Sequence, residues 1–163
     1  PLAGIVLAFA LSLIKLLRKA ARPAVDVLQG SDNPHLSLTT SDDGAGETVP
    51  GLIAMRFAAP IFFGNAQTLS AAIRRAVREA PNPVSAFVLD MEGVSDVDVT
   101  GAEALAKELQ WLQGKGITFA YSRVRPQLHA NLARMHLLQG HHIFETNRAA
   151  VAALRPGSAT ESG

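Results

Sequence analysis

The stretch VSAFVLD, residues 84 to 90, constrains the fold most strongly because its apolar side chains follow one another almost without interruption. A strand with one face in water alternates apolar and polar residues, whereas a continuous apolar strand must be covered on both faces. Amphipathic helical patterns lie on either side of it in the chain, AQTLSAAIRRAVREA before it and GAEALAKELQWLQGKG after it. This alternation predicts an α/β fold in which helices pack on a mixed or mostly parallel sheet.

The remaining elements continue the alternation of strands and helices. Further strands are predicted at residues 25–28, 51–57 and 117–122, where apolar residues of strand-forming type cluster. Further helices are predicted at residues 126–138 and 147–154, the first of them with a proline at its opening position.

Length and composition limit the chain to one domain with modest appendages, since 163 residues of which 48% are apolar suffice for a single core. The formal charge of +1 argues against a nucleic-acid partner, which would require a strongly basic face. The chain has no cysteine, so it offers neither a disulfide framework nor thiolate chemistry. The predicted domain covers residues 23–155, with a mobile loop at 29–50 and a disordered tail at 156–163.

The first segment, PLAGIVLAFALSLIKLLRKAARP, is almost entirely apolar from Leu2 to Ile14 and basic from Lys15 onward. It lacks the polar stripe of an amphipathic surface helix, and its charges follow the apolar run, whereas those of a signal peptide precede it. The run is shorter than the roughly 20 residues of a full membrane span. Residues 1–22 are therefore predicted to be the end of a last transmembrane helix with a basic flank on the cytoplasmic side, and a buried helix of a soluble core is the alternative.

The stretch DVDVTGAE, residues 96–103, carries two aspartates, a threonine and a glycine at the start of a predicted helix. Its D-x-D-x-T spacing matches aspartate-nucleophile phosphatases, but that nucleophile must lie at the mouth of a buried strand, and here the strand already ends at Asp90. A calcium loop would need a glutamate at its twelfth position, which is Lys107. The sequence therefore predicts no catalytic residue and no metal site.

Two interpretations of this stretch remain. The first is a capping box, in which Thr100 and Glu103 form the T-x-x-E pattern and Asp98 adds a further acceptor. The second is a regulatory or ligand-binding turn, in which the backbone N–H groups of residues 100–102 attract an anionic group such as a nucleotide phosphate. Asp96 and Asp98 oppose an anion, and no G-x-x-x-x-G-K-[ST] loop occurs in the chain.

A family resemblance rests on two motifs. FVLDMEGVSDVDVTGAEALAKELQWLQGKGITFAYSRV resembles the core of STAS domains, which occur in bacterial anti-sigma-factor antagonists and in the C-terminal parts of SulP (sulfate permease) transporters. GLIAMRFAAPIFFGNAQTL is similar to the SulP version, in which a strand leads through a proline to an aromatic pair and a turn of small residues. The resemblance, which covers most of residues 1–155, implies an α/β fold with a STAS-type mixed β-sheet of about four to six strands and four to five packed α-helices.

The resemblance implies a cytoplasmic regulatory domain of a SulP-type secondary transporter in the cell membrane, whose membrane part carries sulfate, bicarbonate or dicarboxylate anions. Such a domain is not an enzyme. The alternative is a freestanding switch protein similar to anti-sigma-factor antagonists, in which a partner kinase phosphorylates the serine after the motif's aspartate. The matching residue here is Val99, which removes that chemistry. The neighbouring Thr100 keeps a hydroxyl, but the two aspartates beside it would repel a phosphate.

The site implied by the motifs is a ligand-binding or regulatory turn. Its residues are Phe63, Asn65, Asp96, Asp98, Thr100 and Gly101. The implied partners are the transmembrane domain of the same transporter, a second copy of the domain, and a protein such as acyl carrier protein, with no nucleic acid among them. No cofactor is required, and GTP, GDP or another nucleotide is a candidate ligand.

Overall fold

The computed structural model describes residues 1–21, 25–30, 39–40 and 46–157. Five helices and six strands lie within these ranges. In chain order they are α1 (Leu2–Ala21), β1 (Val25–Gln29), β2 (Thr39–Thr40), β3 (Leu52–Phe57), α2 (Ala66–Glu79), β4 (Ala86–Asp90), α3 (Val99–Gly114), β5 (Thr118–Ser122), α4 (Pro126–Arg134), β6 (His142–Phe144) and α5 (Asn147–Leu154).

The strands form one mixed sheet with the order β2-β1-β3-β4-β5-β6. Strands β3 to β6 run parallel, and β1 runs antiparallel to both of its neighbours. The register places Val25, the first residue of β1, opposite Phe57, the last residue of β3. The start of β1 therefore lies at the edge where β3, β4 and β5 end, which we call the carboxyl edge.

Helices cover both faces of the sheet, as the continuous apolar strand requires. Every residue of β4 is buried. One core cluster joins the sheet to α2, α3 and α4 through side chains such as Ile73, Leu105 and Leu132, and a second joins it to α5 around Ala150. The predicted α/β fold with a mixed sheet is confirmed.

The structure adds two short strands that the sequence does not predict. β2 lies inside the segment predicted as a mobile loop, and β6 consists of three residues that are not fully buried, so neither shows a usable apolar pattern. Helix α3 begins at Val99, two residues before its predicted start. Residues 31–38 and 41–45 of the predicted loop, and residues 158–163 of the predicted tail, lie outside the described residues.

Among the described side chains of helix α1, those of residues 2–18, none joins either core cluster. Its large apolar side chains are exposed, from Leu2 at 74% to Leu13 at 46%, so it is not a helix buried in the domain core. Within residues 1–21, 25–30, 39–40 and 46–157, no helix combines the length and the apolar character that crossing a membrane requires.

Candidate functional site

The candidate site lies at the carboxyl edge, where the loop after β3 meets the loop after β4. The Ile61 N–H donates to the Asp96 carbonyl at 2.9 Å, and the Asp98 N–H donates to the Ile61 carbonyl at 3.0 Å. These bonds form a parallel bridge between Ile61 and Val97, both of which are buried. The two segments that carry the predicted site residues are thereby held side by side.

The side chain of Asp98 ties the two loops together. One carboxylate oxygen accepts from the Gly101 N–H at 2.7 Å, and the other accepts from the Phe63 N–H at 3.3 Å. Asp98 has φ −83° and ψ 175°, so it is extended and forms the N-cap of α3. Its charge lies at the positive end of the helix dipole, which favours an anionic side chain there.

The predicted capping box of Thr100 and Glu103 is wrong. Thr100 is the second residue of α3, and it is exposed. The cap belongs to Asp98 because this residue is extended while Val99 is already helical. Thr100 accordingly presents its side chain to solvent beside the turn.

Asn65 shapes the loop that presents Phe63. The Asn65 side chain is fully buried; its amide donates to the Pro60 carbonyl at 2.7 Å, and its amide oxygen accepts from the Phe62 N–H at 3.0 Å. A carboxylate could not replace it, because a carboxylate only accepts hydrogen bonds. Asn65 therefore has a structural role in this turn and does not face a ligand.

Gly101 allows α3 to approach the loop after β3. A Cβ atom at this position would lie 2.6 Å from the Ile61 carbonyl oxygen and 2.9 Å from the carbonyl carbon. Both are backbone atoms, which cannot move aside without displacing the loop. The glycine is also buried.

Asp96 is exposed and connects the turn to α4. Its carboxylate accepts from the Val97 N–H at 2.8 Å and from the side-chain amide of Asn131. Among the residues that the structure describes, neither Asp96 nor Asp98 has a cationic partner within 4.0 Å. The turn therefore presents negative charge that no neighbouring cation neutralises.

This arrangement opposes the predicted binding of a nucleotide phosphate at the start of α3. A phosphate site at a helix N-terminus needs free N–H groups. Here the Gly101 N–H donates to the Asp98 side chain, and the Ala102 N–H donates to the Asp98 carbonyl. The Asp98 carboxylate thus takes the position of an anion at the Gly101 N–H.

Two large apolar side chains project from the turn. Phe63 is 74% exposed and Val99 is 69% exposed, whereas the third such side chain in residues 46–157, Ile143, is only 39% exposed. The Phe63 ring meets the edge of Phe62, with centroids 5.5 Å apart and planes at 89°. We call the surface formed by Phe63, Asp96, Asp98 and Val99 the acidic-apolar surface.

A groove of about 400 Å³ adjoins this surface between α2 and α3. Arg74 lines it, but its Nε donates to both carboxylate oxygens of the buried Glu108, at 3.2 and 2.9 Å. The same guanidinium lies 5.2 Å from the ring centroid of Trp111. The charge of Arg74 is therefore compensated within the domain.

The structure also contains a buried polar cluster centred on Asp90 that the sequence does not predict. The Asp90 carboxylate, at the end of β4, accepts from Nε of Arg56 and Nε of Arg123, both at 3.1 Å, and from the Asn147 amide at 2.9 Å. The Glu92 N–H donates to it as well, at 3.0 Å. An aspartate at the end of a buried strand was the available signal, but its side-chain partners Arg56, Arg123 and Asn147 lie more than 30 residues away in the sequence.

The cluster keeps Asp90 ionised. Burial by itself raises the pKa of this carboxyl, but hydrogen bonds from Arg123, Asn147, the Glu92 N–H and Arg56 together bring the pKa below its ordinary value. Because Asn147 is the first residue of α5, its hydrogen bond to the Asp90 carboxylate also links that helix to the sheet.

The adjacent residues His141 and His142 lie beside aromatic rings. The ring of His141 meets the edge of Phe119, with centroids 5.4 Å apart, and burial lowers its pKa. Within the described ranges, no group of three or more His, Asp or Glu residues lies close enough together to hold a metal ion.

Residues 46–150, which include both loops of the site, match the STAS domain. The chain belongs to the STAS domain family.

This STAS domain is homologous to regions of sulfate transporters. It is 35% identical over 158 residues to a probable sulfate transporter of Mycobacterium tuberculosis, in a match that covers 93% of the chain and 28% of the transporter. It is 25% identical over 146 residues to sulfate transporter 3.1 of Arabidopsis thaliana, covering 85% of the chain and 22% of the transporter. The chain thus spans about a quarter of the length of these relatives.

Solved structures show the same fold. The murine Slc26a9 anion transporter in its inward-facing state matches with a TM-score of 0.69 at 16% identity, over 93% of this chain and 25% of that one. An anti-sigma factor antagonist of Thermotoga maritima matches with a TM-score of 0.55 at 14% identity, over 66% of this chain and 90% of that one. The predicted resemblance to STAS domains is confirmed.

Proposed function

We propose that this STAS domain is the cytoplasmic regulatory part of a SulP-type secondary transporter in the cell membrane, and that it acts through contacts with the membrane-embedded part of the same protein. Helix α1 carries this proposal. Its apolar side chains are exposed around the helix. Transfer of each large one out of water would be favourable by roughly 1.5–3 kcal/mol of free energy. A helix of this kind requires a nonaqueous partner.

The basic residues at the end of α1 and directly after it indicate how the helix would be oriented in the membrane. Lys15, Arg18, Lys19 and Arg22 follow the apolar run, with no acidic residue before Asp26. Basic residues at the end of a membrane helix favour the cytoplasmic side. The domain that follows would then lie in the cytoplasm.

Anion transport is proposed from the relatives. Several of them are named as sulfate transporters, and all of those matches extend over only part of each transporter. Sulfate is therefore the first candidate substrate, with bicarbonate and dicarboxylates as further candidates. Substrate selection would lie in the membrane-embedded part, and the STAS domain would influence activity, assembly or trafficking.

A freestanding phosphorylation switch is the less favoured function. The fold is shared with anti-sigma-factor antagonists. However, Val99 has no hydroxyl to phosphorylate, and an exposed apolar helix serves no purpose in such a switch.

Membrane association of the 163-residue chain tests the role of α1. The chain is expressed in bacteria and the membrane fraction is separated by sedimentation, alongside a variant with Val6→Asp and Phe9→Asp. A control variant carries Gln113→Asp, at the exposed end of α3. We expect the parent and the control in the membrane fraction and the α1 variant outside it. Equal sedimentation of all three would contradict the proposed role of α1.

A further inference from the structure

We infer that the acidic-apolar surface docks onto the Lys- and Arg-rich cytoplasmic ends of membrane helices in the protein that contains this chain. This inference rests on the proposed function, which supplies the membrane-embedded part but assigns no contact surface to the domain.

The path of the chain determines which side of the domain faces the membrane. Strand β1 begins with Val25 at the carboxyl edge, opposite Phe57. Helix α1 ends at Ala21, so residues 22–24 alone connect the two elements. Even fully extended, this connection spans at most about 14 Å. With the apolar part of α1 in a membrane, the carboxyl edge becomes the side of the domain next to that membrane.

The acidic-apolar surface lies on this same edge. Its residues come from the loops that follow β3 and β4, which are the first and second neighbours of β1 in the sheet. Adjacent strands lie about 4.8 Å apart, so the two loops begin within roughly 10 Å of the strand that α1 enters. No long connection is needed to bring the surface against the membrane part.

The composition of the surface favours protein over lipid. Phe63 and Val99 expose most of their apolar area, and the Asp96 carboxylate beside them is exposed and has no cationic partner among the described residues. The anionic headgroups of a cytoplasmic leaflet would be repelled by these carboxylates. The cytoplasmic ends of membrane helices instead combine apolar residues with an excess of Lys and Arg, which complements the surface in both respects.

The test uses cysteine alkylation, because the chain itself has no cysteine. Phe63→Cys and Val99→Cys are introduced singly, with Gln113→Cys as the control at the opposite end of α3. A maleimide labels the full-length protein in detergent and the 163-residue chain in the same detergent. Mass spectrometry of the cysteine peptide gives each rate, and a maleimide–succinimide cross-linker then captures lysines near position 99.

If docked molecules outnumber undocked ones by roughly ten to one, alkylation at positions 63 and 99 should be about tenfold slower in the full-length protein than in the 163-residue chain. The rate at position 113 should be equal in both. Cross-links from position 99 should reach lysines of the membrane-embedded part, and Asp96→Asn should reduce the protection.

Three results would overturn the inference. Equal alkylation rates at positions 63 and 99 would show that the surface stays free. Cross-links confined to the STAS domain itself would show that protection has another source. Protection of the 163-residue chain by vesicles of equal parts phosphatidylcholine and phosphatidylglycerol would assign the surface to lipid. If instead the proposed function is wrong, the full-length protein should be absent from the membrane fraction, which is a different result from these three.

Discussion

The backbone N–H of Phe63 donates to the Asp98 carboxylate at 3.3 Å, and this bond joins the loop after β3 to the helix that follows β4. The same carboxylate caps α3 through the Gly101 N–H. One side chain therefore sets both the start of the helix and the position of the exposed phenylalanine.

Replacement of Asp98 by alanine should destabilise the domain by about 1 kcal/mol, the usual cost of losing an N-cap. Asp98→Asn keeps one oxygen acceptor for the cap but loses the acceptor for the Phe63 N–H and the charge, so it should lose less free energy of unfolding than Asp98→Ala but should not be neutral. Urea denaturation measures both values. Equal losses in the two variants would show that the cap does not depend on the side-chain oxygen.

Replacement of Gly101 by alanine has two opposing effects on the stability of the domain. Alanine favours a helix over glycine by about 1 kcal/mol, but the added Cβ would lie 2.6 Å from the Ile61 carbonyl oxygen, and such overpacking costs about 1–3 kcal/mol. We expect net destabilisation and weakened contact between α3 and the loop.

Gly114→Ala is the matched control, because a Cβ at Gly114, in the same helix, meets no atom within 4 Å. This variant should be neutral or slightly stabilised in urea denaturation. A Gly101→Ala protein as stable as Gly114→Ala would contradict the close contact.

Removal of the Asp90 carboxylate should cost about 2–4 kcal/mol in Asp90→Ala, since the partly buried Arg56 loses its counter-charge and Arg123 keeps only the exposed Glu92. The exposed pair of Arg75 and Glu79, with its atoms 3.8 Å apart, provides the comparison. Its loss in Arg75→Ala should cost well below about 1 kcal/mol. Hydrogen exchange should also show faster opening of α5 in Asp90→Ala, because Asn147 loses its acceptor.

The lowered pKa of Asp90 predicts loss of stability in acid. An unfolded aspartate titrates near 3.9, so the contribution of Asp90 is complete above about that pH and is lost as the pH falls through the lower folded-state pKa. Asp90→Asn should flatten this part of the curve of unfolding free energy against pH. An unchanged curve would mean that Asp90 is not the group responsible.

The lowered pKa of His141 predicts a second pH dependence of stability, at higher pH than that of Asp90. Partial burial lowers the folded-state pKa of His141 below the ordinary 6.5, so the unfolded chain binds the proton more readily. Stability should therefore rise with pH between the folded-state pKa and about 6.5, and His141→Phe should remove this rise. NMR titration of the ring gives the pKa directly, and a value above 6.5 would contradict the prediction.

Local patterns in the sequence predict most of the fold. The continuous apolar residues of β4 and the leucine spacing of α3 fix two elements and the need to cover both sheet faces. The strands β2 and β6 are too short for a pattern, and Arg56 and Arg123 become neighbours of Asp90 only when β3, β4 and β5 align. No local stretch of the sequence indicates that these residues are close together in the fold.

The structure changes the predicted geometry of the turn, and its role as a site stays a prediction. The sequence locates the turn near residues 96–101, but the cap falls on Asp98 instead of Thr100 because helix ends depend on backbone geometry at single residues. The sequence also leaves open an anion site, which the bond from Gly101 to Asp98 opposes. The exposed pair of Phe63 and Val99 becomes visible only when the two loops are brought together.

Uptake of radiolabelled sulfate by cells that express the full-length protein tests the central claim most directly. We expect uptake above that of cells with an empty vector, competition by excess unlabelled sulfate, and a changed rate when Phe63→Ser is introduced without loss of protein from the membrane. A full-length protein that is absent from the membrane fraction, or that is present there while neither sulfate, bicarbonate nor a dicarboxylate enters the cells, would contradict the account.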